Sequence, residues 1–345
     1  MINAKGINVM AKSGSGRITL QDVADRTGYT VNTISRALRD KEDISPETRE
    51  HVRRVAAEMG YVRNHMASSL RSGRTKTLGL ILGSLQNPYY AIMANEMQKA
   101  AEEKGYILII LSSQDESERE QKMVDVALGH QVDGILLFPT AQSEPVLDRL
   151  RTARIPHVLL ARLPGDNHSD SVLADDAQGA RLITRHLIEA GRRKLGYLSY
   201  EDVLYSQSQR LAGFHRACDE AGIPLEDRRV SVASGRPAGE LLAGWFKEGI
   251  SGAFVFCDME AWRTVSELNA LGIRIPEDLA IVGFDNIQAR LQFPWPLCSV
   301  EVDYHTFARQ AISLIRRQIH LPQPAPPFRD VPRCWQGTSP AARRA

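Results

Sequence analysis

The chain has 345 residues, 43% hydrophobic and 24% charged, a balance typical of soluble globular proteins and unlike disordered or fibrous ones. That length exceeds one ordinary core, so two or three domains are expected. No apolar run approaches the roughly 20 residues that span a bilayer. No apolar h-region of a secretory signal follows the N-terminus. The four cysteines, Cys218, Cys257, Cys298 and Cys334, form no CxxC pair and no metal-ligand spacing. The expectation is a reduced cytoplasmic protein with inert thiols, no cofactor, no metal and no membrane association.

The net charge of +2 hides an asymmetry. Residues 1–75 carry 13 Lys/Arg against 8 Asp/Glu, whereas the remainder is slightly acidic. A small basic head on an acidic body points the head toward a polyanion. Met10 opens what reads as a natural start followed by a Ser/Gly arm. The glycines at 14 and 16 stand in no strand-to-helix phosphate loop.

Thr19, with Asp22 three residues on, starts a helix through Leu20, Val23 and Ala24, and Gly28 ends it. Thr30 caps a second helix, VNTISRALRD, after a turn of a few residues, so the two helices cross sharply in a helix-turn-helix pattern. Ser45-Pro46-Glu47 starts a third helix, carrying Val52, Val55 and Ala56 and stopping at Gly60. In the second helix Ile34, Ala37 and Leu38 share the core face. Val31, Asn32, Thr33, Ser35 and Arg36 turn at least partly away. Short hydrogen-bonding groups, a methyl and a guanidinium suit a major groove: Asn reads an adenine edge, Arg reads guanine, and a Val methyl meets the thymine methyl.

The run ITLQDVADRTGYTVNTISRALRDKEDISPETREHVRRVAAEMGYVRN closely resembles the DNA-binding head of the lactose repressor family of bacterial transcription regulators. The resemblance places Val31, Asn32 and Arg36 at base-reading positions and makes Thr19, Thr30, Thr33 and Ser35 phosphate-side or capping groups. The next segment, NHMASSLRSGRTKT, holds a helix of about two turns, too short to be stable alone in water. The resemblance makes it a hinge helix that orders on DNA, with Asn64 as cap, Ala67 on its apolar side and Leu70 as the minor-groove wedge. Arg63 stands where the family usually has proline.

From Leu78 the pattern changes. Apolar runs (LGLILG, ILIILSS, GILLFPT, HVLLAR, LGYLSY, RVSVAS, AFVFCD, LAIVGFD) alternate with helical periodicity, as in AIMANEMQKAAEEKG and ARLITRHLIEAG. This is an α/β pattern of parallel sheets covered by helices, and about ten strands are better divided between two lobes. Ligands in such folds sit at the carboxyl ends of strands. NPYY, VDGILLFP, ADDAQGA, RLAGF, CDMEA and PEDLAIVGFDN, in this order, make the body similar to the periplasmic sugar-binding-protein fold that the same family carries. The resulting layout is a three-helix head at 17–62, a hinge at 63–75 and an effector-binding, dimerising body at 76–338. The N-lobe takes 76–174 and 304–320, and the C-lobe 175–303 and 321–338.

The resemblance also implies an effector site. Tyr89 and Tyr90 would wall the cleft with aromatic faces. Arg162 and Arg210 would point donors at the ligand, and Asp258 and Asp285 would accept from its hydroxyls or amines. Open alternatives are a structural ion pair for Arg210, a helix cap for Asp258 and core packing for Tyr89. Three positions depart from the family: Cys257 replaces Asn, Ala161 replaces Asp, and Val302 replaces Gln. With Arg236 in a loop where relatives often have an acid, Arg162, Arg210 and Arg236 point to an anionic effector such as a sugar acid or sugar phosphate.

The resulting expectation is a cytoplasmic transcription regulator, a repressor, that binds palindromic double-stranded operator DNA as a homodimer. A sugar or sugar derivative between the lobes controls it. No C-terminal leucine heptad predicts a tetramer. A solute-binding protein of a transport system is the first rival, weakened by the head. A sugar-acting enzyme is the second, weakened because no nucleophile–base pair or metal cluster accompanies Asp258 and Asp285, and His130, His157, His186 and His215 fall singly.

Overall fold

The computed structural model describes residues 18–62, 73–165, 169–200, 205–233, 235–291 and 297–320. Two compact units meet at the junction between Gly73 and Arg74. The expected hinge residues Asn64, Ala67 and Leu70, together with Arg63 and the C-terminal tail, lie outside the described residues.

The first unit contains three helices, α1 (Leu20–Thr27), α2 (Val31–Ala37) and α3 (Pro46–Glu58). Each starts where a side-chain oxygen replaces a missing backbone acceptor. Thr19 accepts from the Asp22 amide while Asp22 accepts from the Thr19 amide at 2.8 Å. Thr30 accepts from the Thr33 amide and Ser45 from the Thr48 amide, both at 3.2 Å. Gly28, at φ 75°, ends α1 by returning its amide to the Ala24 carbonyl. Val23, Ala24, Ile34, Ala37, Val52 and Ala56 form one small core, with Leu38 and Ile44 packed against it. The second helix thus spends its apolar face on the core, as its periodicity predicts.

The second unit is built on two parallel sheets of five strands. The first, in order β2-β1-β3-β4-β5, comprises β1 (Thr77–Leu82), β2 (Ile107–Ser112), β3 (Gly134–Leu137), β4 (His157–Leu160) and β5 (Ser171–Val172). The second, in order β10-β9-β8-β6-β7, comprises β6 (Leu195–Ser199), β7 (Arg228–Val232), β8 (Gly252–Val255), β9 (Ala280–Asp285) and β10 (Cys298–Glu301). The wiring is the same in both: one strand is added outside the first, and the chain then crosses to the other side. Each sheet therefore has a switch point beside its first strand, the place where α/β folds leave a crevice.

Helices α4 (Pro88–Glu102), α5 (Ser117–Gly129) and α6 (Glu144–Thr152) alternate with the strands of the first sheet. Helices α7 (Asp176–Glu189), α8 (Tyr205–Glu220), α9 (Ala238–Lys247) and α10 (Asp258–Ala270) do so around the second. Covering both faces explains why β3, β4, β6, β8 and β9 are buried along their whole length and read as continuous apolar runs. The chain passes between lobes after β5 and again after β10. The last helix, α11 (Tyr304–His320), returns to pack on α4 and on β3, β4 and β5. Helices α7 and α8 approach each other at Gly213, where a Cβ would sit 2.1 Å from the Ala177 carbonyl oxygen, so only glycine admits this crossing. Strands β5 and β10 were not among the predicted runs. Two residues give no period, and β10 is an edge strand of mixed burial.

Candidate functional site

In the body, the carboxyl ends of the strands carry a concentration of backbone strain. Gln114 and Asp115 (φ 54° and 61°) follow β2, Ala161 (φ 59°) follows β4, and Asp285 and Asn286 (φ 105° and 47°) end β9. Non-glycine residues enter the left-handed region at a cost of about 1–2 kcal/mol each, and such strain clusters where side chains must be aimed.

In the first lobe it aims a guanidinium. Arg162 donates from Nη1 to Asp115 Oδ1 and from Nη2 to the Tyr90 hydroxyl, both at 2.6 Å. Tyr90 is buried edge-on against Phe138. Gly83 makes room for the trio, because a Cβ there would lie 2.6 Å from the Tyr90 hydroxyl and closer still to Asp115. A shallow depression continues outward from Asp115 along Glu116, Ser117, Thr140 and Gln142. Its floor is tied by Glu120, fully buried, which accepts from the Thr140 amide at 2.7 Å and the Ser143 hydroxyl at 2.6 Å.

The second lobe holds a denser group. Arg210, on α8 and only 7% exposed, lies 3.6 Å from the centre of the Phe284 ring and 4.5 Å from that of Phe256. It donates to Asp176 Oδ1 at 2.7 Å and to the Phe256 carbonyl at 2.6 Å, and its Nη2 stands 3.6 Å from Asp285 Oδ1. One guanidinium thus serves two buried carboxylates. Burial pushes the Asp285 carboxyl up to about 7, with Arg210 opposing and Asp176 adding to the rise. Burial raises Asp176 likewise, against the pull of Arg210. Asp258 has no exposure; its Oδ1 accepts from Ser299 Oγ at 2.6 Å and its Oδ2 from the Ile287 amide at 3.0 Å. Burial first, and then the Asp285 charge, hold its carboxyl well above the usual range. Both Asp176 and Asp258 are the first residues of helices, where the helix dipole eases a buried acid.

Tyr89 and Tyr304 bridge these groups. Their ring centroids are 5.9 Å apart, and the Tyr304 hydroxyl donates to the Asp285 carbonyl at 2.8 Å. Burial and then the Asp285 carboxylate raise the Tyr89 phenol, although the residue keeps partial solvent access. A second contact crosses the lobes at Glu96 on α4, whose buried carboxylate lies 3.7 Å from Arg290 Nη1 and 3.6 Å from His305 Nδ1.

The expected site residues divide accordingly. Tyr89, Tyr90, Arg162, Arg210 and Asp285 do gather at strand mouths, and Tyr89 and Asp285 come together across the lobes. Three of these residues have surroundings that the sequence did not supply. Asp258 is occupied inside the second lobe, bracing the segment after β9; it is neither an open acceptor nor a side-chain cap. Arg162 and Arg210 are already paired with carboxylates, so they do not present two uncompensated charges to an anion. Arg236 is exposed in the loop after β7, and no contact among the described residues ties it to the others. The acidic partners Asp115 and Asp176 went unread, as did the Phe256 and Phe284 rings. Position at the end of an apolar run was the available signal for Asp115. Cys257 and Val302 are buried, and Ala161 supplies the turn that directs Arg162. His157 is a packing residue, bonded to the Ile155 carbonyl at 2.8 Å and the Ser169 hydroxyl at 3.1 Å.

In the head, α2 exposes Val31 and Asn32. Thr19 and Thr30 cap helices, Thr33 hydrogen-bonds Thr30 at 2.9 Å, and Ser35 accepts from Arg39 at 2.7 Å. Arg36 forms an ion pair with Asp43, in the segment between α2 and α3.

A capped helix-turn-helix unit and a two-lobed α/β body with polar groups gathered at its strand mouths define a regulator with a ligand-sensing fold. Residues 19–64 match the model of the bacterial regulatory proteins of the lacI family, and residues 184–339 match a periplasmic binding protein-like domain. The HTH-type transcriptional regulator DegA of Bacillus subtilis (strain 168) is 30% identical over 294 residues, covering 82% of this chain and 86% of DegA. The HTH-type transcriptional repressor PurR of Aliivibrio salmonicida (strain LFI1238) is 25% identical over 309 residues, covering 87% and 92%. Among solved structures, the transcriptional regulator CelR–cellobiose complex is 25% identical with a TM-score of 0.63, and the lac repressor dimer bound to operator and the anti-inducer ONPF is 21% identical with a TM-score of 0.75. Each alignment covers 88% of this chain and 93% of the other. The chain belongs to the lacI family of bacterial regulatory proteins.

Proposed function

We propose that this protein is a sequence-specific DNA-binding transcriptional repressor, controlled by a small uncharged, hydroxyl-rich effector of the sugar class, and that it works as a homodimer in the cytoplasm without catalysing a reaction. The observation that carries the reading is α2. Its apolar face is consumed by the head's core, while Val31, Asn32 and Arg36 stand on the other side within the matched segment. Among the described residues no helix is long and apolar enough to cross a membrane. Residues 63–75 would form the hinge, with Asn64, Ala67 and Leu70 in the roles the family resemblance gives them. Tyr89, Tyr90, Arg162, Arg210 and Asp285 would line or support the effector cleft. The paired arginines favour a neutral ligand, because an anion would have to displace carboxylates already bonded to them.

Selection from a randomised duplex DNA pool tests the first half of this reading. An inverted repeat should emerge, since a twofold dimer reads two half-sites. Arg36→Ala should then lose about 1–3 kcal/mol of discrimination at one base pair per half-site. A uniform loss over all sequences would make Arg36 a phosphate contact instead. Effector binding is checked by thermal shift against neutral sugars, sugar acids, sugar phosphates and nucleosides, because a ligand of the native state must raise the melting temperature. Stabilisation by acids alone would reverse the charge argument.

The dimer surface is proposed at β2. This edge strand exposes Ile107 (59%) and Ile110 (39%), an unusual arrangement for an unprotected edge. The double substitution Ile107→Lys and Ile110→Lys should convert dimer to monomer in light scattering and weaken binding to the inverted repeat more than to a half-site. An unchanged dimer would move the interface elsewhere.

A further inference from the structure

We propose that Asp43 is a positioning residue that sets the base selectivity of Arg36 by holding its guanidinium in one orientation and offsetting its charge. The inference rests on the reading of α2 as the recognition helix and goes beyond it, to a residue outside that helix.

The geometry begins with the segment from Leu38 to Ser45. Its path is fixed by the fold at both ends. The Lys41 amide returns to the Arg36 carbonyl at 3.2 Å, and the Ile44 amide to the Lys41 carbonyl at 3.1 Å. Ile44 packs on the head's core, and Ser45 caps α3. Asp40, at φ 56°, is held by Arg53 on α3 and lies 3.9 Å from Arg49. Asp43 is therefore presented by an anchored turn, and its carboxylate meets Arg36 Nη2. The neighbouring guanidinium is held as well: Arg39 bonds the Ser35 carbonyl at 2.9 Å and its hydroxyl at 2.7 Å. Arg36 on the recognition helix and Arg39 just beyond its end thus stand in defined poses before any DNA arrives.

Stability does not explain the pair. The two side chains are 42% and 47% exposed, and exposed ion pairs add little to folding. The Arg36 guanidinium lowers the Asp43 carboxyl, so the pair is charged at neutral pH. Its consequence falls on binding. A free surface arginine has many rotamers and pairs with any phosphate, which raises affinity for every sequence alike. An arginine held at one edge of its planar fork loses less freedom on docking, and keeps further N–H donors for the O6 and N7 acceptors of guanine. The adjacent negative charge weakens its attraction to phosphates. The expected net result is weaker binding to random DNA and stronger discrimination at one base pair.

The test uses the full chain, the site selected from the randomised pool, that site with each alternative base pair at the Arg36-dependent position, and poly(dA-dT) as non-specific duplex. Asp43→Asn should reduce the preference at that position about tenfold, within the range of one bidentate contact. It should also tighten poly(dA-dT) binding several-fold and leave the melting temperature unchanged. Asp43→Glu should recover part of the preference, and Asp43→Asn placed on Arg36→Ala should change the preference no further. An unaltered preference in Asp43→Asn would overturn the proposal. Equal tightening on selected and non-specific DNA would also overturn it, by making Asp43 a decoy that only withholds Arg36. If Arg36→Ala itself keeps the wild-type preference, the assignment of Arg36 fails, and the role of Asp43 falls with it.

Discussion

Replacing Arg210 with leucine is expected to destabilise the body by about 3–5 kcal/mol, the usual cost of removing one partner from a buried charge group. The residue is a single guanidinium facing Asp176 and Asp285, with 7%, 2% and 5% exposure respectively. Leucine would fill much of the space between Phe256 and Phe284. It would also strand two carboxylates and the Phe256 carbonyl without a donor. Burial alone already raises both carboxyls, so the variant should take up protons and be most impaired at alkaline pH. All four tryptophans lie beyond residue 244, so urea denaturation followed by tryptophan fluorescence reads the body without the head. Adding Asp176→Asn and Asp285→Asn to Arg210→Leu should restore most of the loss, because the amides carry no charge to compensate. A midpoint within 1 kcal/mol of wild type in the single variant would show that the group is not the buried ion cluster described above.

That cluster also accounts for how much of the site was legible. Helix starts were readable because capping is local: Thr19 with Asp22, Thr30 with Thr33 and Ser45 with Pro46 lie within three residues of one another. Most strands were readable because helices on both faces make them continuously apolar. The positions of Arg162, Arg210 and Asp285 followed from the family motifs, but their charge state did not. Asp115 is 47 residues from Arg162, and Asp176 is 34 from Arg210. Strand order brings the first pair together and the packing of α7 on α8 the second, and a sequence pattern carries no such distance. The anionic effector was read from the arginines alone, before Asp115 and Asp176 were seen beside them. Asp258 was ambiguous for a related reason. A residue at a strand end belongs equally to the cleft or to the packing behind it, and the contact with Ser299, from β10, is 41 residues away in the chain. Asp43 failed differently, since its partner is only seven positions away. Acidic residues in exposed turns are common, and nothing in spacing alone separates a carboxylate that grips a recognition arginine from one that only meets water.

The same group that makes Arg210 costly to lose should make the body less stable as pH rises. The Asp285 carboxyl stands at about 7 in the fold against an ordinary 3.8, so the folded state holds its proton more tightly than the unfolded chain. Its stabilising contribution is complete below about pH 4, declines as pH rises toward the folded value, and is absent above it. Asp176 and Asp258, both raised by burial, tilt the profile the same way. His157 and His215 are lowered by burial and tilt it oppositely, since the folded state favours their neutral forms as pH rises. The useful quantity is therefore the difference between wild type and Asp285→Asn. Near pH 4 the two should be similar; near pH 8 the variant should be the more stable, by an amount on the order of a few kcal/mol. The Asp285→Asn substitution would leave Arg210 matched one to one with Asp176, and because Arg210 opposes the rise of the Asp285 carboxyl, the gain should be larger when Arg210 is also removed. A constant difference across this range would mean that Asp285 is already ionised at pH 4, with Arg210 serving both carboxylates fully. With the Asp285 carboxyl raised to about 7, an effector hydroxyl that donates to its ionised form would release the proton, so calorimetry in buffers of different ionisation heat should detect proton release below pH 7 in wild type and none in Asp285→Asn.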